Sequence, residues 1–242
     1  MKQSELFADA LWEFYETGRA DLRVERDDGY RGIENVAWYF TTAREFMPIE
    51  KRALKFARGK ILDAGCGAGR HSLVLQKRGL EVIAVDISPR IAALARARGV
   101  RDARVANLCG KLPFADSQFD TVILFGNNLG ICGTLSRFQK MLRELHRITS
   151  PRGRIIATTR MPSTTNPIHK SYLSKNLERG RALGQIRIRL AHNGKRGAWF
   201  DLLLLAPTDL MQIAARAGWE IAAVIAEKNF EDGYAVVLEK KT

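Results

Sequence analysis

The stretch that most constrains this chain is 60–70, Lys-Ile-Leu-Asp-Ala-Gly-Cys-Gly-Ala-Gly-Arg. Ile61 and Leu62 close a short apolar run, as a buried strand does, and Arg70-His71-Ser72-Leu73-Val74-Leu75 continues with helix-compatible residues. Between them Gly65, Gly67 and Gly69 alternate. Strand, glycine turn and helix start commit the chain to a βα unit. Glycine lets the backbone turn sharply and lets a ligand approach without Cβ contacts, and the helix start presents N–H groups that lack intrahelical partners. The spacing departs from the dinucleotide fingerprint G-x-G-x-x-G, because Arg70 follows Gly69 and the third glycine comes one residue early. The Gly-Lys-Ser/Thr of a P-loop is also missing.

A glycine turn of this kind needs an acid at the end of the next strand. Glu81-Val82-Ile83-Ala84-Val85-Asp86 supplies a second strand pattern, with Asp86 17 residues after Gly69. A carboxylate there accepts both hydroxyls of a ribose. Ser88-Pro89 follows as an N-cap with proline at the first helical position. Further on come Leu112-Pro113-Phe114 and Phe119-Asp120-Thr121-Val122. In this order, Asp63 to Gly69, Asp86 and the two later segments resemble the class I S-adenosylmethionine (SAM) methyltransferases over about residues 60–160, and the C-terminal strands fit as well.

The resemblance implies an α/β fold, a Rossmann-like doubly wound seven-stranded sheet of order 3-2-1-4-5-7-6 with strand 7 antiparallel. It implies SAM as cofactor, S-adenosylhomocysteine as product and no metal. Carried over by motif position, Asp63, Gly65, Cys66, Gly67 and Gly69 would hold the methionine end. Asp86 would take the ribose hydroxyls and Ile87 would pack on adenine. The family usually has an acid near adenine after strand 3. Here Asn107-Leu108 stands in that place, so the match departs and backbone groups are expected to help. Methyl transfer from a sulfonium is a direct in-line displacement that asks mainly for positioning and water exclusion, so no universal catalytic residue is expected.

The chain has 242 residues, enough to bury a full core in one α/β domain with an appendage. The strands and helices alternate from 60 onward, which implies right-handed crossovers and a parallel sheet. No apolar run approaches a membrane span of about 20 residues, and the N-terminus lacks a signal-peptide layout. Cys66, Cys109 and Cys132 are odd in number and make no CxxC pair, which predicts a reducing cytoplasmic setting with no disulfide framework and no zinc site.

Before the glycine turn, Leu6, Phe7, Ala10, Leu11, Phe14 and Tyr15 form one helical stripe. Residues 23–30 read as a polar turn, 34–47 as a second helix and 48–57 as a third. Residues 1–58 are therefore expected to be a helical cap, and 59–242 the cofactor domain. Trp38, Tyr39 and Phe40 read as a packed seam rather than a pocket wall. After the fifth strand, 161–206 is an insertion: a loop containing Pro162, Ser163, Thr164, Thr165 and Pro167, a helix near 169–180, and a hairpin. The hairpin follows from the strict alternation of Gln185-Ile186-Arg187-Ile188-Arg189-Leu190 and the Asn193-Gly194 turn. Thr208 is expected to cap the last helix.

Charge is uneven. Between Arg137 and Phe200 stand fifteen Lys or Arg against two acids, a net +13 equal to that of the whole chain, and the remaining 24 basic and 24 acidic residues cancel. Such asymmetry marks a surface for RNA, a membrane face or an anionic small substrate, or simply solvates helices.

Strand 4 runs into Phe125-Gly126-Asn127-Asn128, which in the family faces the transferred methyl. Gly126 joins the expected cofactor residues, Asn127 is the candidate catalytic amide, and Asn128 a substrate contact. Enzymes that methylate base amines carry prolines and an aromatic ring after this Asn, and these are missing. A turn tolerant of unusual φ is the competing reading of 126–128. His169 is the candidate general base among the histidines, with Tyr172 beside it, while His146 and His192 read as solvated and His71 as flanking the cofactor. Arg187 and Arg189 share one side of a strand and suit a carboxylate or phosphate. The expected function is methyl transfer from SAM to a small acceptor that this charge allows to be anionic. The alternatives are an RNA methyltransferase using the 137–200 surface and a non-catalytic SAM- or RNA-binding module; a nicotinamide oxidoreductase is disfavoured by Arg70.

Overall fold

A computed structural model describes residues 1–162, 167–226 and 233–241. Ser163, Thr164 and Thr165, read above as loop, lie outside them. Helix α1 (Gln3–Thr17) buries Leu6, Ala8, Ala10 and Leu11, and Gly18 in the left-handed region ends it. Residues 23–30 are not simply a turn, and 34–47 is not a helix. Strands β1 (Leu22–Arg26) and β2 (Arg31–Glu34) pair antiparallel, and a 3-10 turn (Val36–Phe40) follows, capped by Asn35 onto the Ala37 N–H. The alternation that marks a strand is weak in Leu-Arg-Val-Glu-Arg because its second partner lies more than 160 residues away in sequence. Helix α2 (Pro48–Ala53) then leads into the central sheet.

That sheet is built from β3 (Ile61–Ala64), α3 (Arg70–Lys77), β4 (Val82–Asp86), α4 (Pro89–Ala97), β5 (Ala103–Val105), β6 (Phe119–Leu124), α5 (Leu135–Ile148) and β7 (Thr149–Arg160). The insertion follows, as α6 (Pro167–Glu178), β8 (Gln185–His192), β9 (Lys195–Arg196) and β10 (Phe200–Leu203). The chain closes with α7 (Pro207–Ala215), β11 (Trp219–Ala226) and β12 (Gly233–Lys240). The spatial order is β5-β4-β3-β6-β7-β12-β11, with β12 antiparallel to both neighbours and the five inner and edge strands β3 to β7 parallel. This is the expected seven-stranded topology. Every residue of β3 and β4 is buried, as parallel strands covered on both faces must be.

On one face Leu62, Val122 and Ile155 pack with Phe138, Leu142 and Leu145 of α5. Burying each of these large side chains contributes about 1.5–3 kcal/mol. On the other face Ile61, Ile123 and Ile156 meet Phe46, Ile49 and Leu54. The segment before the glycine turn is therefore part of the sheet's own core.

The insertion hairpin does not stand alone. Strands β10, β8, β1 and β2 form a second antiparallel sheet in that order, with β9 paired to β8. Val24 faces Leu190 and Glu25 faces Arg189 across the β1–β8 seam.

Three sequence expectations change here. Cys109 and Cys132 form a disulfide, joining the loop after β5 to the loop after β6 and leaving buried Cys66 free. An odd count shows only that one thiol is left over; it does not forbid a pair. Ser88 does precede α4, but its hydroxyl donates to Glu5 Oε1 instead of capping the helix. Ala206, not Thr208, is the residue before α7.

Candidate active site

The glycine turn lies at the carboxyl ends of β3 and β4, where open α/β sheets bind ligands. The N–H groups of Gly65 and Cys66 both donate to Val85 O, at 2.8 and 2.9 Å. Gly65 has φ +78°, and a Cβ there would lie 2.4 Å from Asn128 Nδ2. Gly67 has φ +51°, and a Cβ there would meet only the Tyr39 ring, at 3.5 Å. The turn is thus a cradle that side chains would fill.

Asp86 ends β4 and is nearly buried. One carboxylate oxygen accepts from Gly67 N–H at 3.3 Å and the other from Ser88 N–H at 3.1 Å. Burial pushes its pKa up to about 6, against the pull of the Ser88 and Gly67 N–H groups. A carboxylate has about four acceptor sites, so two ribose hydroxyls would complete its bonding. Next to it Ile87 is 53% exposed, an apolar face in the place expected for adenine. At the neighbouring loop Leu108 is buried, and exposed Asn107 accepts from Cys109 N–H at 3.0 Å. The disulfide at Cys109 therefore anchors the loop that carries both residues.

Beneath the cradle is an ionic cluster that sequence reading missed. Glu50, from α2, is buried and forms an ion pair with Arg70, the first residue of α3. Arg70 also donates to Thr41 Oγ1 at 3.0 Å. His71 is buried rather than flanking a ligand, with Nε2 3.1 Å from Glu50 Oε1. Burial alone would raise the Glu50 pKa; the His71 hydrogen bond and the charge of Arg70 outweigh it and hold Glu50 at about 2. Burial keeps His71 below its ordinary value, against the upward pull of its hydrogen bond to Glu50. Alongside, Ser72 Oγ donates to Asp63 Oδ2 at 2.6 Å, and burial raises the Asp63 pKa. Asp63 thus braces the first turn of α3 from inside the protein.

On the acceptor side the structure engages several predicted residues elsewhere. Asn127 has φ +67°, as a turn reading requires, but its amide oxygen already accepts from Thr159 Oγ1 at 2.6 Å and from Arg160 N–H at 3.2 Å. Asn128 turns back and donates to Ala64 O and Gly65 O, at 3.2 and 2.7 Å, so it clamps the glycine turn. Gly126 donates to Thr158 Oγ1 at 2.9 Å. His169 Nδ1 is 2.9 Å from Arg26 Nη1, and its ring packs edge-on to Tyr30. Tyr172 is buried, donating to Asp27 Oδ1 at 2.6 Å and accepting from Arg187 N–H. Arg189 pairs with Glu25 at 2.7 Å and lies over Trp199, and Arg187 reaches Asp201 at 4.0 Å. His169, Tyr172 and Arg189 thus knit the insertion to the β1–β2 hairpin, and Arg187 ties β8 to β10 within the insertion. Of the histidines expected in solvent, His192 is buried, 2.9 Å from Glu13, and His146 packs edge-on to Trp219.

Tyr39, read as seam, stands over Gly67 and donates to Glu34 Oε1 at 2.9 Å. Its backbone oxygen and those of Phe40 and Ala68 accept from Arg98, which ties the 3-10 turn to α4. No periodicity in 34–40 announces this, because the turn is fixed by contacts to α1 and α4.

The parallel sheet, the glycine cradle and the strand-end acid define the class I SAM-dependent methyltransferases. Comparison agrees: residues 62–157 match the family described as Methyltransferase domain. A demethylmenaquinone methyltransferase of Mycobacterium marinum is 32% identical over 70% of this chain and 71% of its own length. A malonyl-[acyl-carrier protein] O-methyltransferase of Pseudescherichia vulneris is 30% identical over 64% of both chains. Among solved structures, a SAM-dependent methyltransferase from Bacteroides fragilis in complex with S-adenosyl-L-homocysteine superposes with a TM-score of 0.82, at 29% identity, over 100% of this chain and 97% of its own. The chain belongs to the class I SAM-dependent methyltransferase superfamily. It is a methyltransferase enzyme with SAM as its cofactor.

Proposed function

We propose that this enzyme methylates a small, anionic acceptor. The observation that carries the reading is the composite cover over the cofactor edge. Tyr39 of the N-terminal segment stands against the glycine turn, and the β1–β2 hairpin of that segment shares one sheet with the insertion strands β8–β10. The β1–β2 hairpin, the 3-10 turn and strands β8–β10 then act as one lid, which suits an acceptor small enough to be enclosed and kept from water.

SAM supplies an activated methyl on a sulfonium. On this reading Gly65, Cys66, Gly67, Gly69 and Gly126 form the backbone cradle at its methionine end, and Asp63 braces it through Ser72. Asp86 holds the ribose, while Ile87, Asn107 and Leu108 flank adenine. Asn127 and Asn128 shape the loop beside the acceptor rather than exchange protons with it. The relatives named above, for a demethylmenaquinone and a malonyl thioester of a carrier protein, are consistent with a non-nucleic-acid acceptor.

The RNA reading gains less support. Among the fifteen basic residues of 137–200, Arg147, Arg154, Arg181, Arg187, Arg189 and Arg196 are in ion pairs with carboxylates. Cations already paired release fewer counterions on binding a polyanion.

The test uses SAM with a labelled methyl group, purified protein and a lysate of the source cells, with Gly67→Asp as the control. Label in the small-molecule fraction, absent with the variant, is expected. Label in nuclease-sensitive material overturns the reading.

A further inference from the structure

A side chain that recognises an anion must keep its charge uncommitted until the anion arrives. Arg189 is bound to Glu25 and Arg70 to Glu50 and Thr41. Arg160 is different. It is the last residue of β7, it is exposed, and its guanidinium has no hydrogen-bond or ion-pair partner among the described residues. Its backbone is nevertheless fixed on both sides: the N–H donates to Asn127 Oδ1 at 3.2 Å, and the carbonyl accepts from Leu205 N–H at 3.1 Å. It has a rigid root and a head that no described residue pairs.

Its position matters as much as its freedom. Strand β7 adjoins β6, whose loop at Gly126 and Asn127 is one strand over from the glycine turn. Across the edge stands Tyr39, against Gly67. The charges of Arg70 and Arg160 both act on the Tyr39 phenol, opposing the upward push of burial and of Glu34. Arg160 therefore lies electrostatically within the group that closes over the cradle.

We propose that Arg160 is a specificity-determining residue whose guanidinium binds a carboxylate of the acceptor and holds the acceptor beside the glycine turn. A planar guanidinium meets a carboxylate through two parallel N–H···O bonds, which fixes orientation as well as charge. Asn127 then acts as a positioning residue, since its amide oxygen holds the Arg160 backbone and the loop after β6 sets where the carboxylate sits. This inference rests on the anionic-acceptor reading. A competing use of the same side chain is to hold the methionine carboxylate of the cofactor.

The experiment titrates malonate into protein saturated with S-adenosylhomocysteine by calorimetry, with uncharged malonamide as the control ligand. It compares wild type with Arg160→Ala, Arg160→Lys and, to control for net charge, Arg179→Ala. Malonate is expected to bind wild type and Arg179→Ala equally and malonamide to bind neither. Arg160→Ala should lose at least tenfold in malonate affinity, and Arg160→Lys should recover part of it, with S-adenosylhomocysteine affinity unchanged throughout. Equal malonate affinity in Arg160→Ala, or no malonate binding to wild type, overturns the inference. So does a tenfold fall in S-adenosylhomocysteine affinity in Arg160→Ala, which would assign Arg160 to the cofactor. Failure of wild type to bind S-adenosylhomocysteine would instead strike the underlying reading. Thermal melting of each variant checks that it is folded.

Discussion

Replacing Asp86 with Asn should stabilise the cofactor-free enzyme while weakening its hold on cofactor. Burial raises the Asp86 pKa from an ordinary 3.8 to about 6. A carboxyl shifted this way favours the fold only where it is protonated; that contribution is full below pH 3.8 and is lost as pH rises through 6. At pH 7.5 keeping the charge in place costs about 3 kcal/mol at 1.36 kcal/mol per unit. Asn removes that cost, but its single amide oxygen cannot serve both Gly67 N–H and Ser88 N–H, a loss of about 1–2 kcal/mol. The net gain is about 1–2 kcal/mol, or a rise in Tm of roughly 2–8 °C for a chain of this size. Scanning calorimetry of both proteins from pH 4 to 8 should show the Asp86→Asn advantage at pH 7.5 and its disappearance below about pH 4.5. Calorimetric titration should show S-adenosylhomocysteine binding weakened at least tenfold in the variant, and weakening in wild type as pH falls below 6. A variant less stable at pH 7.5 and equal in affinity would refute the argument that this buried charge is kept for the ribose.

Gly65→Ala places a Cβ 2.4 Å from Asn128 Nδ2 at a positive φ; S-adenosylhomocysteine binding, followed by fluorescence, should drop more than tenfold. Glu50→Gln leaves Arg70 without its buried counter-charge and should cost about 3 kcal/mol, read as a Tm lowered by roughly 6–12 °C. Since Glu50 is held near pKa 2, its contribution is present at neutral pH and fades only as pH falls from about 4.5 toward 2, so the variant and wild type should converge in acid. Reducing the Cys109–Cys132 bridge, which closes a loop with a sequence separation of 23, should cost about 3 kcal/mol. Melting with and without a phosphine reductant, against the Cys109→Ser/Cys132→Ser double variant, checks this: the reduced protein and the variant should melt alike.

The cofactor half of the site is legible in the sequence because it is local. Strand, glycine turn and strand-end acid lie within 61–86, and backbone geometry alone dictates the residue types there. Sheet order follows from the same alternation of strands and helices. What escapes is everything fixed by distant pairing. Leu22–Arg26 form a strand because β8 supplies a partner, Arg31–Glu34 pair onto that strand, and Glu50 is buried because Arg70 waits for it. Tyr172, Arg187 and Arg189 have the chemistry of a substrate site, yet their partners Asp27, Asp201 and Glu25 turn them into fasteners. Arg160, by contrast, stands at the end of an apolar strand where no motif marks it. Only the absence of a described carboxylate beside it separates it from its neighbours.

If the proposed lid sets the acceptor, the shared sheet of β1–β2 with β8–β10 writes that choice in two places at once. A change of insertion that alters the rim must also suit the N-terminal hairpin that hydrogen-bonds to it. Deleting the hairpin would leave β8 with an unpaired backbone edge facing outward, an invitation to pair with another chain. On that reading, grafting a new acceptor preference onto this enzyme means moving both segments together, as a single cassette encoded partly before the glycine turn and partly between β7 and α7.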